Sequence, residues 1–172
     1  MLGFGFRSNM AEQFGGTLGR VRGSMIFASI LIALTISQGD GRAQPAQAVF
    51  STSRGDTAIE LEIADTDRAR ARGLMFRKTL AKNRGMIFVF PLEVNHPFWM
   101  KDTLIPLDMI FLDRERRVVG IVRDTEPLTL TSRSCGRRSL YVIEVNAGLS
   151  KTIQLEVGDA VELEGVPPQG KN

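Results

Sequence analysis

Beyond its first fifty residues, the chain places its hydrophobic side chains in short runs, each soon broken by turn residues or charges. Runs of that length are too short for confident helices but long enough for strands. Ala58–Ala64 (AIELEIA) alternates apolar and acidic residues, the pattern of a half-exposed strand. Gly85–Phe90 (GMIFVF) is continuously apolar and rich in strand formers, as a strand covered on both faces would be. Further strands are expected at 98–101, 107–113, 117–123, 140–145 and 160–163. Asp65 or Thr66 can cap a short helix running to about Phe76, which Gly73 would weaken or end. Asn146 can cap a second near Ala147–Thr152. So many strands with so little helix imply a mainly β fold: an antiparallel sandwich or open barrel with one or two short helices.

The N-terminus is of another kind. Met25–Ile36 is uncharged and apolar, preceded by Arg20 and Arg22 and followed by the small-x-small triplet Ala46-Gln47-Ala48. Basic flank, apolar run and small-residue site are the marks of a secretory signal. As a helix the run spans about 18 Å, short of a ~30 Å hydrocarbon core, which favours a cleaved signal over an anchor. The expected organisation is a signal peptide over residues 1–48, cut after Ala48, then a single domain over 49–172, exported to the periplasm or secreted. Membrane contact would arise only through the N-terminal segment, if it is retained. Met10 is an alternative start that keeps both arginines.

Removing that leader takes four arginines and two acids from the chain's 22 basic and 19 acidic side chains, leaving 18 against 17. A near-neutral domain lacks the excess of cations that phosphate neutralisation requires, so no nucleic-acid partner is expected. The single cysteine, Cys135, allows no intramolecular disulfide despite an oxidising destination.

Four segments occur in order: Arg72-Gly73-Leu74-Met75-Phe76-Arg77, Gly85-Met86-Ile87-Phe88-Val89-Phe90, Phe98-Trp99-Met100-Lys101-Asp102-Thr103-Leu104-Ile105-Pro106-Leu107-Asp108, and Tyr141-Val142-Ile143-Glu144-Val145-Asn146-Ala147-Gly148. Over roughly Ala58–Glu164 the chain thereby resembles the domain of unknown function 192 family. The resemblance implies a compact, mainly β domain, often behind an export signal, and brings no established substrate, cofactor or catalytic residue. Two positions depart from the family pattern. Asp102 stands where relatives commonly have Asn, and the loop around Cys135 is basic where theirs is often proline-rich.

Strand alternation sorts the Trp-Met-Lys block, with Phe98 and Met100 on one face and Trp99 and Lys101 on the other. Trp99 either caps a secondary core, with Lys101 in solvent, or walls a cleft where Lys101, beside Asp102, meets a polar or anionic ligand. Asp108 and Glu144 lie within largely apolar strands, where an unpaired charge is costly, so both need partners. Arg72, Arg77 and Lys101 are the candidates. Structural ion pairs, ligand contacts and an acid/base pair for a hydrolase all remain open for the two carboxylates. His96 is the only histidine, too few for a transition-metal site, and no cofactor motif is present. Cys135 among Arg133, Arg137 and Arg138 reads as an incidental loop thiol. The function expected is a small-ligand module, suited to a carbohydrate, or an envelope-binding module. A hydrolase using Asp108 and Glu144 and a pocketless protein-interaction domain are the alternatives. A catalytic residue cannot be named.

Overall fold

The computed structural model describes residues 45–167; residues 1–44, where most of the expected signal segment falls, and residues 168–172 lie outside them. Seven strands and two short helices follow the chain: β1 (Gln47–Thr52), β2 (Gly55–Ala64), α1 (Asp67–Arg72), β3 (Arg84–Val94), β4 (Leu107–Leu112), β5 (Val118–Thr125), β6 (Ser139–Asn146), α2 (Leu149–Thr152) and β7 (Ala160–Glu164). They form one sheet in the order β5-β4-β6-β3-β2-β1-β7. Every neighbouring pair is antiparallel except β2 and β3, which run parallel because α1 and its following loop carry the chain back across the sheet.

The sheet is an open barrel rather than a sandwich. Its two edge strands meet at one end, where Arg117 bridges Ala160 and Val118 N donates to Asp159 O at 2.9 Å. Curling gives the sheet an inner and an outer face, and both are apolar. Inside, Phe50, Ile59, Ile87, Ile110, Ile143 and Val161 form one cluster. Outside, Phe88, Met100, Met109, Phe111 and Val142 form a second with Leu74. Strands β4 and β6 are therefore buried almost end to end, which is why their sequences lack a polar alternation.

The expected elements at 58–64, 85–90, 107–113, 117–123, 140–145 and 160–163 are present with small changes of boundary. β3 continues through Pro91 to Val94, its pairing with β6 shifting between Val89 and Val94, where a proline is tolerated. The segment 98–101 is not a ladder strand. Phe98 and Arg133 exchange one pair of backbone bonds, both 2.8 Å, before the chain turns at Lys101-Asp102. Its alternation survives because the backbone is extended: Met100 is fully buried and Trp99 exposed. Thr66 caps α1 as expected, but the helix stops at Arg72, with Gly73 at φ +47°. Asn146 caps nothing; it ends β6 and donates from Nδ2 to Leu80 O and Ala81 O.

Strand β1 went unrecognised in the sequence because its first residues match a cleavage signal. Ala48 is fully buried, opposite Ile59 on one side and Leu163 on the other, and Ala46 O accepts from Leu61 N at 2.7 Å. A cut after Ala48 would strip both alanines from the folded sheet.

Close packing between β3 and β6 is set at Gly85. A Cβ there would lie 2.6 Å from Glu144 O and 3.3 Å from Leu61 Cδ2. Backbone cannot yield as a flexible side chain can. Gly85→Ala is expected to lower stability by about 1–3 kcal/mol in a urea melt; an unchanged midpoint would contradict this packing.

Candidate functional site

Glu144 stands where a hydrophobic residue would be ordinary. Its neighbours across the strands are Met86 on β3 and Met109 on β4, which place it on the outer face. It is 5% exposed, and among the described residues no cation approaches it closely enough to hold its charge. Burial alone pushes its carboxyl up to about 8, so at neutral pH it carries a proton. The group is not sealed in: it lines the floor of a hollow of about 260 Å³ beneath α1, with Phe88, Phe98, Trp99, Thr103, Arg70 and Arg72 among the walls. Gly73 helps keep that floor open. A Cβ on it would reach to 3.1 Å from Phe88 Cζ and 3.9 Å from Glu144 Oε2.

Asp108 is on the other face. It sits opposite Val145, one register step from the Met109–Glu144 pair, so the two carboxylates point to opposite sides of the sheet. Asp108 Oδ1 accepts from Asp124 N at 2.9 Å, and Oδ2 from Ser150 N at 3.0 Å and Ser150 Oγ at 2.7 Å. Arg123 Nε in turn donates to Ser150 Oγ at 3.0 Å. The buried charge is thus satisfied by backbone and hydroxyl donors that tie α2 and the end of β5 to β4. The sequence reading sought cations here and did not find Ser150.

The three proposed cations go elsewhere. Arg77 binds both oxygens of Glu62, whose carboxyl is held below its usual range chiefly by that hydrogen bonding. Both partners are about one-third exposed, so this pair adds little stability. Lys101 is exposed, its Nζ 5.7 Å from the Trp99 ring centroid, within cation–π range. Arg72, the last residue of α1, is exposed, forms no ion pair among the described residues, and faces the hollow. Asp102 adopts φ +53°, and its carbonyl accepts from Phe76 N at 2.7 Å. Asn and Asp both tolerate that left-handed backbone, so the departure at this position preserves the turn.

Trp99 is 52% exposed and lines two adjoining hollows. The second, about 320 Å³, continues past Pro97 and Phe98 to Leu130 and Ser132. A third, about 340 Å³, shares Arg72, Gly73 and Met75 with the first and ends at Glu62 and Arg77. The three make a groove along the outer face, with exposed Phe76, Trp99 and Leu130 on its rim.

Arg70 and Phe88 were not singled out from the sequence. Arg70 is committed to protein partners: it donates to Asp65 O and Val89 O, pairs with Asp67, and lies over Phe90. His96 stacks on Phe90 with Nε2 3.1 Å from Leu92 O, and burial lowers its pKa. Cys135 packs against Gly120, where a Cβ would lie 2.2 Å from the cysteine's own. Among the described residues no His, Cys, Asp or Glu cluster could hold a metal, and no helix is long and apolar enough to cross a membrane.

Comparison with known proteins matches residues 49–163 to the DUF192 family model, described as "Uncharacterized ACR". A UPF0127 protein of Thermococcus kodakarensis is 34% identical over 107 residues, covering 59% of this chain and 63% of the relative. One from Pyrococcus abyssi is 35% identical over 108 residues, covering 60% of this chain and 85% of the relative. The chain thus spans a little under two thirds of the Thermococcus relative's length. Among solved structures, a protein of unknown function from Novosphingobium aromaticivorans aligns with TM-score 0.66 and 35% identity, covering 67% of this chain and 83% of that one. A Sinorhizobium meliloti protein, named as a candidate transcription regulator, aligns with TM-score 0.68 and 29% identity, covering 74% and 100%.

The burial of Glu144 has a definite pH signature. Its folded pKa lies above the 4.5 of the unfolded chain. Between those values the unfolded state has lost the proton and the folded state keeps it, so stability falls as pH rises from about 4.5 to about 8 and then levels. Glu144→Gln removes the ionisation without changing the shape. The variant should match the wild type near pH 4.5 and exceed it by a few kcal/mol at pH 8. Chemical denaturation at the two pH values checks this, and a variant less stable at pH 8 would show that the carboxylate has a cation partner.

Proposed function

This chain belongs to the DUF192 family, and on that premise we propose that it is an exported small-ligand binding module whose site is the hollow between α1 and Trp99. The observation that carries the reading is Glu144, a buried carboxyl without a partner that opens onto a cavity instead of being sealed in the core. Leaving such a group unpaired costs stability, and functional sites are where that cost is commonly retained. Trp99 supplies a large ring at the mouth and Arg72 an uncommitted cation. The volume is close to the lower bound of ligand cavities, roughly 300 Å³. Acid/base chemistry by Asp108 and Glu144 together is not part of the proposal, since the two lie on opposite faces of the sheet.

Nucleic acid is not the proposed partner. Regulation of transcription is in the name of the Sinorhizobium protein and is said of that protein, while residues 49–172 of this chain carry almost balanced charge. The exposed Phe76, Trp99 and Leu130 support a second reading, a protein-interaction surface along the groove.

Export to the periplasm or beyond rests on the basic and apolar leader. We place the cut ahead of Ala46, because Ala46 and Ala48 belong to the core. The nearest earlier small-x-small triplet is Gly41-Arg42-Ala43. N-terminal sequencing of the protein from its native host should give a first residue no later than Ala46. A chain beginning at Val49 would refute that placement, and an uncut cytosolic chain would refute export.

Trp99 is the chain's only tryptophan, so its emission reports the site directly. Being half exposed, it should emit as a solvated ring, quenched by acrylamide, and shift to the blue when a ligand fills the hollow. Trp99→Ala and Arg72→Gln should leave a folded protein, with stability changed by under about 1 kcal/mol, and weaken the same ligand at least tenfold by calorimetry. A ring that no small molecule in a metabolite screen shields would count against the cavity and for the interaction surface.

A further inference from the structure

We propose that the hollow takes a small zwitterion, its ammonium group seated on Glu144 and its acidic group on Arg72. The inference rests on the binding reading above and names the ligand class.

The polar inventory of the walls makes the case. A sugar would bring several hydroxyl groups, each needing a partner once desolvated. Apart from its two arginines, the hollow offers side-chain oxygen and nitrogen atoms only from Glu144, Thr103 and the indole N–H of Trp99, and Thr103 Oγ1 already donates to Lys101 O at 3.2 Å. A carboxyl on the floor, a guanidinium on the rim and one indole donor are few partners for a polyol's many hydroxyls. They can satisfy a compact molecule charged at two ends.

The floor suits a cation. Glu144 has no positive partner among the described residues, and the surrounding surfaces are aromatic: Phe88 and Phe98 meet edge to face at 5.1 Å, with Trp99 beyond. Ring faces attract an ammonium and add to a carboxylate's pull in a desolvated site. The rim suits an anion. Arg70 is held by Asp67 and two carbonyls, whereas Arg72 is uncommitted and presents a guanidinium that can grip a carboxylate with two bonds. The cation and the anion of such a ligand would both be answered, and no charge would be left buried alone.

Seating an ammonium ionises Glu144, and the displaced proton leaves to solvent. The charged groups facing Glu144 are Arg70 and Arg72 of α1. β3 and β4 offer it Met86, Phe88 and Met109. The 97–103 loop contributes Phe98, Trp99 and Thr103 to the hollow, none of them titrating. Below the pKa of Glu144, affinity should therefore rise about tenfold for each unit of pH, and flatten near pH 8.

The test uses the folded protein and the common free α-amino acids as probes, with N-acetyl and amide forms of each, and galacturonic acid as the hydroxyl-rich comparison. Binding is read by Trp99 emission and calorimetry between pH 6 and 8. The expected result is binding of at least one free amino acid, weakened tenfold or more by N-acetylation and by amidation. Glu144→Gln should abolish the pH dependence and weaken the free amino acid at least tenfold. Arg72→Gln should weaken it similarly and leave the amide unaffected. Galacturonic acid binding with no free amino acid binding, and no effect of Glu144→Gln, would overturn the zwitterion while leaving the cavity a ligand site. Failure of every free amino acid to bind would overturn the zwitterion, and the metabolite screen, read by the same Trp99 emission, separately decides the cavity.

Discussion

The outer and inner faces of one curled sheet are both covered, and most of what this protein does with its polar residues follows from that. Strands β4 and β6 have no solvent side. A charged residue in either must find a partner inside the protein, give up its charge, or open onto a cavity. Asp108 and Glu144, one register step apart and on opposite faces, take different courses. Asp108 collects two backbone N–H groups and the Ser150 hydroxyl, and becomes a tie between α2 and the barrel. Glu144 collects nothing from its neighbours, keeps its proton, and borders empty space.

The outer face is where the fold makes room. A strand or long helix laid across Phe88 and Phe111 would have sealed it. Instead the cover consists of a six-residue helix that stops at Gly73 and an extended segment around Trp99 with one bridge to its neighbour. These pieces bury Leu74 and Met100 and leave a groove between them. The left-handed turns at Phe76 and Asp102, joined by the Phe76 N to Asp102 O bond, hold the two pieces in register. A family resemblance spread over four separated motifs has its physical counterpart here. The motifs are the two covering pieces together with β3 and the β6 strand that carries Glu144.

The sequence by itself determined the class of fold and most of its strands. Short apolar runs cannot build a core except as a sheet, and continuous apolar runs such as GMIFVF announce a strand without a wet side. Alternation also sorted Met100 from Trp99 correctly, though the segment pairs too little to be a ladder strand. That Asp108 and Glu144 were out of place was equally legible, because a charge within an apolar strand is conspicuous wherever the strand lies. Ala46-Gln47-Ala48 shows the limit: small residues that resemble a cleavage site and small residues that fit a crowded strand are the same residues.

Only the tertiary structure decided what those carboxylates meet. Whether they share a face depends on the register of β4 against β6, and a shift of one residue would bring both to the same side. Asp108's main partners lie 16 and 42 residues away in the chain. Arg72 and Arg77, five positions apart, part company because the helix ends between them, sending one to the hollow and the other to Glu62. Desolvation of Glu144 is likewise a sum over neighbours from several elements. Local chemistry dictates which residue types are costly to bury; only the packed chain sets whether that cost is met by a partner or left at the floor of a cavity.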